Sequence, residues 1–302
     1  MKMLDKERLL GRAQIVVSAA SFGTIGVFAK IAYAAGVSAP LLLELRFIIA
    51  AMALWTYFLA FDRRIIKVSK KQLATCAALG LAGYGIFSNL VFTALESTPA
   101  TIVGLLFFCY PVFVLLLDWF IIRQRPHLQL RLGALLILGG IAVGVFGTAA
   151  AGITLGWLLA IAGAAWYAAY IVATRKLLTN LKPQSVALYV TSFAALGFSV
   201  LGGPVSSNMG RIETSALIAV ISLALVSTVL ALLSLFSGLE KLGSAEASQI
   251  GSVELIVSLT LASTLLGETI TLPVILGAGL VMAGVFAGQL KPRMRDVECP
   301  QC

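Results

Sequence analysis

Runs of about 20 apolar residues follow one another along the whole chain, each closed by a short polar or glycine- and proline-bearing break. They lie near residues 13–35, 39–60, 73–95, 99–121, 129–148, 153–174, 184–203, 215–238, 244–266 and 272–290. None alternates apolar and polar positions, which excludes the strands of a membrane barrel. In hydrocarbon only helices and closed barrels satisfy their own backbone groups. The pattern therefore predicts an all-α integral membrane protein of about ten transmembrane helices. The breaks carry turn chemistry or charge, as at Ser97-Thr98-Pro99, at Arg123 to Pro126 and at Gly267-Glu268. The first run is too long for the apolar core of a signal peptide and is followed by many like it, so it reads as the first membrane helix.

Composition agrees. Of 302 residues, 60% are hydrophobic and 12% charged, against about 45–50% and 25% in soluble domains. So little charge cannot cover a water-facing surface of this size, and the surplus apolar area must face lipid. The net charge of +9 does not point to nucleic acid, because the basic residues sit in bursts between the apolar runs. Lys2, Lys6, Arg8 and Arg12 fall on one side, with Arg63, Arg64, Lys67, Lys70 and Lys71, then Arg123, Arg125 and Arg131. Arg175, Lys176, Lys182, Lys241, Lys291, Arg293 and Arg295 fall on the same side, and the opposite loops hold only Arg211. The asymmetry predicts a multi-pass protein of the cytoplasmic (inner) membrane with both termini cytoplasmic. Residues 62–71 should face the cytoplasm, and residues 149–152 and 203–214 the exterior.

The chain also repeats itself. At an offset of 144 residues, Leu95-Glu96 falls on Leu239-Glu240, Gly133-Ala134 on Gly277-Ala278, and Gly140 and Gly144 on Gly284 and Gly288. Each half holds five runs. An odd number makes the halves enter the membrane from opposite sides, giving two inverted five-helix repeats, an architecture of alternating-access carriers. The spacings Gly140-x-x-x-Gly144 and Gly284-x-x-x-Gly288 predict close helix approach, the fifth and tenth helices packing on each other.

The second half reads Leu242-Gly243-Ser244-Ala245-Glu246-Ala247, then Gly267-Glu268, then Leu276-Gly277-Ala278-Gly279-Leu280 and Ala283-Gly284-Val285. The first half carries Tyr110-Pro111-Val112-Phe113, Pro126 and the segment from Gly133 to Gly140. These residues resemble the EamA-type domain of the drug/metabolite transporter superfamily. The sequence departs from that pattern at Gln124, where the family has Glu before Arg-Pro, and at Leu255, where a proline is usual after Glu254. The resemblance implies two EamA-like repeats, residues 1–148 and 149–290, followed by a cytoplasmic tail, residues 291–302. It implies a ten-helix fold with a central cavity between the halves. In length and two-domain form the chain is similar to amino-acid and metabolite exporters, including aromatic amino-acid exporters of the YddG type. Export is the family's habit.

Ionisable groups inside a bilayer cost at least about 2.5–3.5 kcal/mol at a helix centre, so each needs a reason. Lys30, Glu44 and Arg46 either form a salt-bridged cluster near the external face or snorkel and pair to fix packing, and Asp118 is expected to pair with Arg123 and Arg125. Glu254 lies mid-span among Ser248, Gln249, Ser252 and Ser258, where it either lines a cavity or joins helix–helix hydrogen bonding. Tyr84, Phe87, Ser88 and Asn89 cluster in the third run, and Trp166, Tyr167 and Tyr170 in the sixth. Trp166 and Tyr170 lie too deep for an interfacial aromatic belt, and their polar atoms need a partner or water. The expected substrate-binding set is Tyr84, Ser88, Asn89, Trp166, Tyr170, Gln249 and Glu254, with the aromatics against the side chain and the polar groups against the amino and carboxyl groups.

Catalytic chemistry has no foothold. The single histidine, His127, falls in a basic turn, and no phosphate-binding G-x-x-x-x-G-K-[ST] loop is present. No metal cluster or cofactor is expected. Cys76 and Cys109 lie in apolar runs, where cysteine behaves as a small hydrophobe. Cys299 and Cys302 end a basic tail, where two thiols cannot complete a zinc tetrahedron. The sequence thus predicts a secondary transporter, a monomer in the lipid bilayer with a small-molecule substrate and no nucleic-acid partner. Neutral or aromatic amino acids are the favoured cargo. A broad drug or cation exporter is the alternative, and a membrane enzyme or a channel stands behind both.

Overall fold

The structure, a computed structural model, describes residues 2–122, 127–147, 154–178, 181–201, 213–242 and 244–289. Ten helices cross the fold. They are α1 (Lys6–Ala34), α2 (Ala39–Phe61), α3 (Lys70–Ser97), α4 (Ala100–Ile121) and α5 (Leu128–Phe146), then α6 (Leu155–Leu177), α7 (Pro183–Leu201), α8 (Thr214–Leu242), α9 (residues 244–266) and α10 (Leu272–Gln289). Seven are long and apolar enough to span a bilayer by length and composition, and α9 and α10 add shorter apolar helices. Large apolar side chains stay exposed around the bundle, including Phe61, Phe120, Leu155 and Val200. Exposure of that extent suits lipid and not water.

The repeats interleave. Helix α1 packs on α8 as α6 packs on α3, α1 meets α9 as α6 meets α4, and α2 with α7 and α5 with α10 form two self-matching pairs. These contacts match in pairs, as a pseudo-two-fold axis relating the repeats requires. One apolar core therefore runs across both halves, from Leu42 and Phe47 through Leu105 and Ile141 to Leu223, Leu255 and Val281.

The α5–α10 pair is the tightest contact, and its cause is the glycine spacing. A Cβ on Gly140 would lie 2.5 Å from the Gly277 carbonyl oxygen, and one on Gly277 would lie 2.5 Å from that of Gly140. Gly133 and Gly284 stand in the same reciprocal relation at 2.6 Å. The seam runs along Gly133, Gly140, Gly277 and Gly284, with Gly144 against Gly277. Gly288 joins the seam through its backbone, since a Cβ on Gly133 would lie 2.9 Å from the Gly288 nitrogen, while a Cβ on Gly288 itself would meet only the Leu130 side chain, at 3.7 Å.

The repeated Leu-Glu pair also has a cause. Glu96 accepts a hydrogen bond from the Ala39 N–H at the start of α2, at 2.7 Å. At the matching position, Glu240 accepts one from the Gln184 side chain at the start of α7, at 2.6 Å. Helix starts leave N–H groups unpaired and favour negative charge, so each glutamate anchors its repeat's second helix. Glu268 does this for α4, accepting from the N–H groups of Ala100 and Thr101 at 2.6 and 2.8 Å. Its counterpart Gln124 lies outside the described residues, as do Arg123, Arg125, Arg211 and the tail with Cys299 and Cys302. Cys76 and Cys109 are buried.

Candidate functional site

Among the described residues, α1 breaks at Thr24, and four further helices are irregular at near-matching places in the two repeats. The i→i−4 ladder widens into a π turn at Leu79–Tyr84 in α3 and at Leu225–Leu230 in α8. Segments of this kind are rare and recur at functional sites. Helix α4 breaks at Phe108 and Cys109, ahead of Pro111, which has no N–H to give the Phe107 carbonyl. Helix α9 breaks at Ser252, the match of Phe108 at the 144-residue offset, although Leu255 stands where α4 has Pro111. Tyr110 and Glu254 are likewise matched, each just after its break. Broken helices that face each other across an inverted repeat expose backbone and side chains at mid-depth.

An aromatic wall surrounds that point. Phe87 and Tyr167 stand with ring centroids 4.7 Å apart, Tyr84 and Phe87 4.7 Å, Tyr110 and Tyr167 5.2 Å, and Phe107 and Tyr167 5.3 Å. Tyr170 joins Tyr84 at 5.7 Å. The rings come from α3, α4 and α6. Glu254 of α9 lies within electrostatic reach of Tyr110 and Tyr167. Tyr110, Tyr167, Tyr170 and Glu254 are half-buried, and the space they border is the candidate chamber. Among the described residues, the Glu254 carboxylate and the hydroxyls of Tyr110 and Tyr167 have no hydrogen-bond partner. Polar groups so placed call for water or ligand.

Above the chamber, Arg46 ties the two π turns together. Its Nε donates to Thr228 Oγ1 in α8 at 2.9 Å, and its guanidinium lies beside the Tyr84 hydroxyl in α3. Tyr84 and Thr228 occupy matching positions. The cation also lies over the rings of Phe47 and Phe92, 5.1 Å from each centroid. Ring faces carry negative charge and compensate a cation taken out of water. The expected Lys30–Glu44–Arg46 cluster is therefore not formed. Arg46 turns into the core, Lys30 faces Glu268 at the rim, and no salt bridge links the three.

The structure brings Tyr84, Tyr170 and Glu254 to the chamber. Ser88 is buried on α3 with its hydroxyl unpartnered among the described residues. Two expected members belong elsewhere. Trp166 is 42% exposed on an outer stripe of α6 with Leu158 and Ala162, and its Nε1 donates to the Ala82 carbonyl of α3 at 2.9 Å. Asn89 is exposed on a stripe of α3 with Ala82 and Ile86. Both side chains stand on exposed faces of their helices. The Gln249 side chain lies outside the described residues. Sequence reasoning left Phe107 and Tyr110 out of the binding set and named Arg46 only among the charges near the external face. The signal for Tyr110 was available, since it stands 144 residues before Glu254 and directly before the helix-breaking Pro111.

Comparison with known proteins adds three findings. The model of the EamA-like transporter family matches twice, over residues 9–146 and 154–287. The uncharacterized transporter YetK of Bacillus subtilis (strain 168) is 23% identical over 259 residues, covering 83% of this chain and 78% of that one. A protein crystal structure superposes with a TM-score of 0.66 at 20% identity, covering 94% of this chain and 96% of that one, a likeness of fold alone.

Proposed function

This chain belongs to the EamA-like transporter family, and on that premise we propose that it exports small metabolites, neutral or aromatic amino acids foremost, by alternating access around the aromatic chamber. The observation that carries this reading is the chamber itself, in which six rings of α3, α4 and α6 cluster and two of them, Tyr110 and Tyr167, stand near a carboxylate with no hydrogen-bond partner among the described residues. Aromatic walls take up an apolar side chain, while Glu254 and the hydroxyls of Tyr110 and Tyr167 meet an ammonium group directly or through water. The matched irregularities of α3 with α8 and of α4 with α9 supply segments that can exchange roles when the halves rock. The membrane is the cytoplasmic one and both termini face the cytoplasm, as the Lys and Arg distribution supports.

A lipophilic cation is the second cargo class, favoured by the same carboxylate among ring faces. Radiolabelled amino acids and lipophilic cations, tested in proteoliposomes with and without a pH gradient, separate the two. Saturable flux of phenylalanine or leucine is expected. Flux of cations alone would move the assignment to the second class, and no flux of either would remove both.

A further inference from the structure

At the face opposite the basic residues, a cavity of about 430 Å³ opens between the ends of α1, α3 and α9 and the start of α4. Its volume falls within the range of small-molecule sites, about 300–1,000 Å³. Lys30, Glu96, Ser97, Pro99, Leu266 and Glu268 line it. It lies apart from the chamber, since the 12 residues from Glu254 to Leu266 rise about 18 Å along α9.

The three charges in this cavity are not equivalent. Glu268 has both carboxylate oxygens engaged, one by the Ala100 N–H and the other by the N–H and hydroxyl of Thr101. It is committed to the start of α4. Glu96 accepts from the Ala39 N–H on one oxygen and, among the described residues, has no donor on the other. Lys30 makes no hydrogen bond or salt bridge among the described residues, although Glu268 lies within electrostatic reach. The cavity thus holds one ammonium without a bound acceptor and one carboxylate with a free oxygen. That pairing is complementary to a zwitterion, and charge-assisted hydrogen bonds to both its ends are the strong kind.

We propose that this cavity is a vestibule that binds the backbone of an amino acid at the opposite face, Lys30 taking the carboxylate and Glu96 the ammonium group. The proposal rests on the amino-acid reading above and adds a second station, separate from the chamber. In the vestibule recognition falls on the carboxylate and ammonium together, and in the chamber on the side chain and the ammonium group. A molecule with the same ring and no carboxylate should pass without calling on Lys30.

The test uses the full chain in proteoliposomes, with L-phenylalanine and its decarboxylated counterpart phenethylamine as probes. Lys30→Gln should raise the KM for phenylalanine about tenfold and leave that for phenethylamine unchanged, and Lys30→Arg should restore most of the loss. Glu96→Gln keeps an acceptor for the Ala39 N–H while removing the charge, and should raise the KM for both probes. Elution of each variant as the wild type does on size exclusion guards against misfolding. Unchanged phenylalanine kinetics in Lys30→Gln, with flux intact in the wild type, would overturn the vestibule and leave the amino-acid reading standing. Equal loss for both probes in Lys30→Gln would overturn it too, since a carboxylate-specific contact cannot act on an amine that has none. If the wild type moves neither probe, the amino-acid reading falls and the vestibule falls with it.

Discussion

Glu254 and Tyr167 share a surrounding of rings but carry different duties in the proposed mechanism. Glu254 supplies the chamber's charge, and Tyr167 supplies a ring face and a hydroxyl at the centre of the wall. Glu254→Gln preserves shape and removes charge, so transport of amino acids should fall about tenfold or more. Tyr167→Phe keeps the ring and should raise KM severalfold with little effect on folding. Trp166→Ala works as the contrast. Its indole joins α6 to α3 through the Ala82 carbonyl on the outside of the bundle. Its loss should lower stability by roughly 1 kcal/mol and leave KM untouched. Initial-rate kinetics beside thermal denaturation of each variant separate the two effects. A raised KM in Trp166→Ala would put the indole back in the substrate path, and wild-type kinetics in Glu254→Gln would move the site away from the α4 and α9 breaks.

Among the elements, α5 and α10 give the sharpest expectation, because their backbones touch. A leucine at Gly140 would drive its side chain into the Gly277 carbonyl and the Val281 N–H across the seam. Overpacking costs about 1–3 kcal/mol where neighbours can move, and a facing backbone yields less than a side chain does. Gly140→Leu and Gly277→Leu should therefore sharply lower the melting temperature in detergent. Gly139→Leu and Gly279→Leu should not, as nothing lies within 4 Å of a Cβ at either position. Equal effects at Gly139 and Gly140 would show that the seam does not hold the fold. The pairing of these two helices was legible in the sequence, because small residues at fixed spacing act through backbone approach, which spacing alone encodes. So was the number of helices, which hydrocarbon thickness sets. The breaks were only half legible. Pro111 marks one in α4, but α9 breaks at Ser252 with Leu255 in place of a proline, so symmetry and packing impose what local chemistry does not. Rotational facing was the least legible part. Within long apolar helices lipid and protein interior select similar residues, and nothing local in Trp166 or Asn89 says which side each takes.

At the scale of the whole molecule, the two faces differ. The Lys and Arg distribution predicts that cysteines at Ser69 and Thr214, both exposed, react with an impermeant reagent from opposite sides of the membrane, and labelling from one side would break the inverted arrangement. The same two faces are unequally closed. On the basic face Glu246 of α9 accepts from Arg8 at 2.8 Å and from Arg12 at 2.7 Å, and Lys241 donates to Gln14 at 2.8 Å. These bonds clasp the start of α1 to the junction of α8 and α9, while the opposite face opens into the Lys30 cavity. In a carrier that closes one face as it opens the other, such a clasp belongs to one state only, so weakening it should shift the population towards opening on the basic side. Ala247 is 2% exposed beside the clasp. In a chain with Cys299 and Cys302 replaced by serine, a cysteine at Ala247 should react slowly with a maleimide at neutral pH, and faster once Glu246→Gln is added. Equal rates with and without Glu246→Gln would mean that the three charged groups lie side by side without gating the basic face.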